Sequence, residues 1–143
     1  MTGADRDARV AVAHAHAAAE AASDFAATMA TLDDDPVYEL QPMGVALRGR
    51  EMAERYYEHF FAVVMPTIAS YRLRSEWVTD EGVGQEYELT VAGPDGDRRH
   101  SVIGILTFGD DSRLSGERLY ASDELLRLFF GPLLDEAVPL DGG

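Results

Sequence analysis

Apolar positions recur along the chain with two different periods, and the change of period separates a largely helical first half from a strand-rich second half. From about Arg9 to Leu32, Ala18, Ala21, Phe25, Met29 and Leu32 fall on one stripe at three-and-four spacing, while Glu20 and Asp24 take another face, which predicts a helix. The run Asp33-Asp34-Asp35-Pro36 is expected to stop it, because proline disfavours helical geometry in the residue before it and cannot continue the hydrogen-bond ladder. Val37 to Leu40 and Val45 to Arg48 read as the arms of a hairpin turned by Pro42-Met43-Gly44. Gly49 opens a second helix, with Ala53, Tyr56, Tyr57, Phe60, Phe61 and Val64 as its apolar face, Glu51 and Arg55 able to pair across one turn, and Pro66 at its end.

Four long strands are predicted next, approximately Ile68 to Val78, Val83 to Ala92, Arg98 to Phe108 and Arg113 to Tyr120. Turn clusters separate them, among them Gly93-Pro94-Asp95-Gly96-Asp97 and Gly109-Asp110-Asp111-Ser112. Such short connections imply an antiparallel meander, since a parallel crossover needs a dozen or more residues. Ser122 is placed to cap a last helix, with Leu125, Leu126, Phe129 and Phe130 as its apolar side and Gly131-Pro132 as its close. Helices followed by an antiparallel sheet give the α+β class.

A length of 143 residues suits a single domain, with its core expected over about residues 9–134. The formal charge of -14 repels phosphate backbones and anionic lipid heads, so neither nucleic acid nor membrane is an expected partner. Asp5, Asp7, His14, His16 and Glu20 break up any signal-peptide core in the alanine-rich first thirty residues, and a cytoplasmic location is expected. The chain holds no cysteine, lysine or asparagine, which removes thiolate nucleophiles, Schiff bases and disulfides. No phosphate loop, serine elbow or zinc pattern occurs, so neither organic cofactor nor metal is expected. His14 and His16, two apart on a helix, point different ways and read as part of a solvated helix start.

Asp34-Asp35-Pro36-Val37-Tyr38-Glu39-Leu40, Leu47-Arg48-Gly49-Arg50-Glu51 and Gly116-Glu117-Arg118-Leu119-Tyr120, in this order among these elements, resemble the SnoaL-like branch of the nuclear transport factor 2-like superfamily. The resemblance spans about Ala18 to Leu134 and implies a cone, a strongly curved mixed or antiparallel sheet wrapped by three helices, often a homodimer through the sheet face. It also implies a pocket for a small apolar molecule. The superfamily includes ketosteroid isomerases, polyketide cyclases and epoxide hydrolases as well as non-catalytic proteins, so function must be argued from the pocket. Where the epoxide hydrolases carry an arginine and two aspartates this chain has Tyr87, Leu89 and Leu119, and where the isomerases carry their aspartate base it has Leu40 and Gln41.

Strand alternation, read with the resemblance, aims Gln85, Tyr87, Leu89 and Val91, then His100, Val102, Gly104 and Leu106, then Ser115, Glu117 and Leu119 into the cone. Glu117 and His100 are thus the candidate catalytic pair, with Tyr38 and Tyr87 orienting the substrate. The expected ligand pocket is Tyr38, Leu40, Tyr87, Leu89, Leu119, Val102, Phe25, Met29, Tyr57, Phe60 and Trp77. Burial there raises a carboxylic acid's pKa and lowers an imidazole's, which suits proton transfer beside a carbonyl, as in isomerases and aldol-type cyclases. The competing expectation pairs Glu117 with Arg48 or Arg74 and leaves His100 at a wet strand end beside Arg98 and Arg99. A cavity below about 300 Å³ favours a non-enzymatic binding or interaction module.

Overall fold

A computed structural model describes residues 2–109 and 112–140; Asp110 and Asp111 of the expected third turn lie outside them. The chain opens with helix α1 (Gly3–Ala21), whose N-terminus is closed by a capping box between Thr2 and Asp5. The single helix expected to Leu32 is in fact two. Ser23 turns into the left-handed region (φ 52°), and the Asp24 side chain accepts from the Ala27 N–H to start α2 (Phe25–Ala30). Ala18, Ala21 and Phe25 of the predicted stripe are therefore exposed, and it is Ala13, His16 and Ala19 that α1 buries. The aspartate run also proves to be strand and not helix stop, since β1 spans Leu32–Gln41.

β1 pairs antiparallel with β2 (Val45–Arg48) in the predicted hairpin, Leu40 opposite Val45. Helix α3 (Arg50–His59) follows Gly49 and continues as a π turn over Phe60–Val64. In α3, Arg55 binds Glu136 through both terminal nitrogens and not Glu51 as expected. The four long strands then appear close to their predicted bounds, β3 (Ile68–Val78), β4 (Gly82–Val91), β5 (Arg98–Phe108) and β6 (Leu114–Tyr120), before α4 (Asp123–Phe130) and the short β7 (Val138–Pro139). Ser122 caps α4 by accepting from the Leu125 N–H at 3.2 Å.

Among the described residues seven strands run in the order β3-β4-β5-β6-β1-β2-β7, antiparallel except where β1 lies parallel to β6. The architecture is an α+β cone. Register shifts between Leu73 and Ser75, between Thr107 and Phe108 and between Leu32 and Val37 mark bulges, the devices that bend a strand and curve a sheet. At the β1–β6 junction a Cβ on Gly116, which has φ of 144°, would lie 1.8 Å from the Val37 carbonyl oxygen. Only glycine lets the two backbones meet there, and the next residue, Glu117, is thereby set on the inner face opposite Tyr38. Against that face pack α1, α3 and α4. Tyr56 stacks on Phe130 with centroids 4.3 Å apart, and Tyr38, Tyr57, Phe60 and Phe129 extend this aromatic layer.

Candidate active site

A hollow of about 120 Å³ remains between the aromatic layer and the curved sheet. β4 contributes Gln85, Tyr87 and Leu89 to its wall, β5 contributes Val102, Gly104 and Leu106, and β6 contributes Glu117 and Leu119. Phe60, Tyr56 and Phe129 close it from the helices, while Ala17, Glu20 and Ala21 of α1 face Tyr71 of β3. Ala21 and Tyr71 are exposed, so the mouth lies between the end of α1 and the outermost strand.

Glu117 stands in this wall because residue alternation and Gly104 both make room for it. A Cβ on Gly104 would come within 2.2 Å of Glu117 Oε1, so the carboxyl occupies the space a side chain would need on the neighbouring strand. Its partial accessibility is to the hollow, and no hydrogen bond to another described residue reaches it. Neither arginine considered as a partner serves, since Arg48 is exposed on β2 and Arg74 binds Glu88 on the outer face. Desolvation foremost, then the charge of Glu20, raises the Glu117 pKa from 4.5 to about 8, against a smaller lowering by His16. The acid is protonated at neutral pH and offers an O–H to whatever enters.

His100 does not join it. The residue faces the same side of β5 as Val102 and sits opposite Leu89, but it lies half-buried beyond the hollow's lining. The histidine of the site is His16, only 3% exposed, where sequence reasoning expected a solvated helix start. It was missed because an alanine-rich helix offers several equivalent stripes; its spacing to Glu20, one helical turn on, was the available signal. His16 Nε2 lies 2.8 Å from Glu20 Oε1 and 3.1 Å from the Tyr57 hydroxyl, which is itself 3.3 Å from Glu20 and 2.8 Å from the Tyr38 hydroxyl. Burial alone would lower the His16 pKa, but the charge of Glu20 and its hydrogen bond, with a further contribution from Glu117, outweigh it and raise the pKa. His16 and Glu20 thus form a hydrogen-bonded pair one helical turn apart, with Glu20 reaching the mouth.

Of the other expected pocket residues, Tyr87, Leu89, Leu119, Val102 and Phe60 line the hollow. Tyr38, Leu40, Met29 and Tyr57 do not; they are buried one layer behind, in the packed core. Phe25 is exposed, a consequence of the break at Ser23. Trp77 lies on the outer face, its indole against Gly84, because its register partner points outward. Gln85, nearly fully buried, lines the hollow while its amide donates to Glu76 at 2.9 Å, which in turn meets His14 at 2.9 Å. Burial, followed by the charges of Glu20 and Glu117, pushes the Tyr87 phenol up to about 12. Tyr38, Tyr56 and Tyr57 are raised well above the usual phenol value by the same desolvation, so all four phenols stay protonated donors.

Comparison with solved structures shows the fold. The chain is similar over 85% of its length to 88% of an NTF-2 like protein of unknown function from Burkholderia xenovorans LB400, with 23% identity and a TM-score of 0.68. It is similar over 92% of its length to 96% of a Bacillus subtilis protein named as an isomerase, with 16% identity and a TM-score of 0.69. It is also similar over 81% of its length to 92% of SalBIII, an epoxide hydrolase/cyclase-like enzyme in pyran ring formation of the polyether salinomycin, with 10% identity and a TM-score of 0.67. No family model and no curated protein matches the sequence. The architecture is thus that of the nuclear transport factor 2-like and cystatin-like cone folds. No helix of the described residues is long and apolar enough to cross a membrane.

Proposed function

We propose that the hollow binds a small uncharged molecule and moves a proton on it without a cofactor, with Glu117 as acid and the His16-paired Glu20 as base. One observation carries this reading: a desolvated carboxyl group with no hydrogen bond from another described residue shares its cavity with a second carboxyl group that a buried histidine holds at 2.8 Å. The desolvated Glu117 takes the acid's part and the histidine-bound Glu20 at the mouth the base's. Glu117 donates its hydrogen bond to a carbonyl oxygen of the substrate. Glu20 removes a proton from the adjacent carbon, the C–H electron pair becomes the enol double bond, and the oxygen takes the Glu117 proton. Return of a proton at another carbon completes an isomerisation or prepares a ring closure. General acid–base groups of this kind each contribute roughly 10²–10⁴ in rate. Similarity of fold to a protein named as an isomerase and to a cyclase-like enzyme supports the reading without specifying the substrate.

The size of the hollow favours a second reading. About 120 Å³ is less than the roughly 300 Å³ at which drug-sized sites begin, which fits a carrier of a very small ligand or a cone largely filled by its own side chains. Exchange of the α-hydrogens of cyclopentanone in heavy water, followed by NMR, separates the two. A catalyst exchanges them faster than buffer, and Glu20→Gln and Glu117→Gln each lose at least about a hundredfold. Wild-type protein no faster than buffer sinks the catalytic reading. The outer sheet face, where Trp77, Ile105 and Tyr120 lie, supports a homodimer as part of the same proposal. Light scattering giving the mass of one chain at micromolar concentration contradicts it.

A further inference from the structure

The hydrogens around His16 can be counted. The Thr31 hydroxyl lies 2.7 Å from the Thr28 carbonyl oxygen, which can only accept, so the single hydroxyl hydrogen is committed there. The same hydroxyl oxygen lies 2.7 Å from His16 Nδ1 and must therefore accept from it. Nδ1 consequently carries a hydrogen in every protonation state the ring adopts in this arrangement. Whatever proton the imidazole gains or loses is gained or lost at Nε2, the atom facing Glu20 at 2.8 Å.

We propose that Thr31 is a positioning residue: it fixes the tautomer and plane of His16, so that Nε2 holds the Glu20 carboxylate in place as the proton acceptor of the cavity. The inference rests on Glu20 being the base and deepens that reading by tracing its support to the C-terminal cap of a short helix. Thr31 is built for it from both sides, because its hydroxyl caps α2 while its carbonyl accepts from the Leu114 N–H of β6 at 2.8 Å. The groups bearing on the His16–Glu20 pair are Thr31 at the end of α2, Tyr56 and Tyr57 of α3, Tyr38 of β1, Tyr87 of β4 and Glu117 of β6. None of the tyrosines takes the proton, since their hydroxyls are all held protonated. Orientation by such a second partner is the usual device for selecting a histidine's active nitrogen.

The test is a histidine-selective ¹⁵N NMR titration of the full chain as wild type, Thr31→Val and Thr31→Ser, with no substrate present. In wild type the neutral form of His16 is expected as the Nδ1–H tautomer, with its pKa above the ordinary 6.5. Thr31→Val keeps the shape but removes the acceptor, so the pKa falls by about one unit or more and the Nε2–H tautomer appears. Thr31→Ser restores both. A neutral wild-type His16 with its hydrogen on Nε2, or a Thr31→Val protein with unchanged tautomer and pKa, overturns the proposal. Should Thr31→Val fail to fold, the wild-type tautomer alone decides it. If the ketone exchange assay fails while the predicted tautomer is found, the catalytic reading falls and the positioning assignment stands. Where exchange is active, Thr31→Val shifts the pH profile downward and Thr31→Ser returns it.

Discussion

Glu88 and Glu117 belong to the same curved sheet and face opposite ways from it, and their carboxyl groups are driven in opposite directions. Glu88 points outward among Arg72, Arg74 and Arg99 at 2.7, 3.2 and 3.4 Å. The hydrogen bond from Arg72, joined by the charges of the three arginines, outweighs desolvation and lowers its pKa. Glu117 points inward among leucine, valine and aromatic side chains with no guanidinium in the wall, and its pKa rises to about 8. The two faces of one pleat thus make a solvated anion of one glutamate and a neutral acid of the other. Side-chain parity, and not residue type, decides which becomes chemistry.

The largest expected effect comes from removing the ionisable group on the inner face. Below pH 4.5 folded and unfolded chains both hold the Glu117 proton, between 4.5 and about 8 only the folded chain does, and above that the folded chain must ionise a desolvated group. Stability therefore falls as pH rises through this window, by up to about 5 kcal/mol for the full shift. His16, whose folded pKa is raised, adds to the trend: its contribution is complete below 6.5 and is lost as pH rises through the folded value. Glu117→Gln should flatten most of the dependence and be more stable than wild type at pH 9, as read by denaturant melts across pH 4 to 9. An equally steep wild-type and mutant dependence breaks the comparison.

Next in size is Gly116→Ala, which sets a Cβ against the Val37 carbonyl at a positive φ. A loss of about 3 kcal/mol or more is expected, measured by urea melts, because backbone has to move. Gly104→Ala should cost far less, about 1 kcal/mol or under, since what it meets is the mobile end of Glu117. It should nevertheless turn the carboxyl away from the wall and bring its pKa back toward 4.5, measured by NMR; an unmoved pKa would show that Gly104 is not the space Glu117 uses. Smallest is Glu88→Gln, on the solvated face, for which thermal melts at physiological salt should be indistinguishable from wild type.

The strands and most of their parity were legible in the sequence because alternation has a period of two; at the start of β6 a bulge shifts it, so that Leu114 is buried and Ser115, expected inward, binds the Thr107 hydroxyl instead of lining the hollow. Alternation together with the family resemblance aims Glu117 inward, and its side chain lines the hollow. Alternation says which face a residue takes and not how far the hollow extends, so His100 was given a place that ends at Val102. Trp77 was assigned to the pocket on its aromatic character, though it is aimed outward against Gly84. The helical half was less readable. Alanine is small enough to face either core or water, so the pattern of α1 did not reveal that His16 and Ala19, and not Ala18 and Ala21, are buried. The break at Ser23 removed Phe25 from the core, and no proline or glycine announced it. Thr31 carried no signal at all, because its role exists only once α1 and α2 are folded against each other.

A pH titration of the Glu117 side-chain carboxyl carbon by ¹³C NMR tests the central claim most directly. A midpoint near 8 is expected, several units above an ordinary glutamate. A midpoint near 4.5 would mean that the hollow is wet and the carboxyl an ordinary anion, and the assignment of Glu117 as the site's acid would fail.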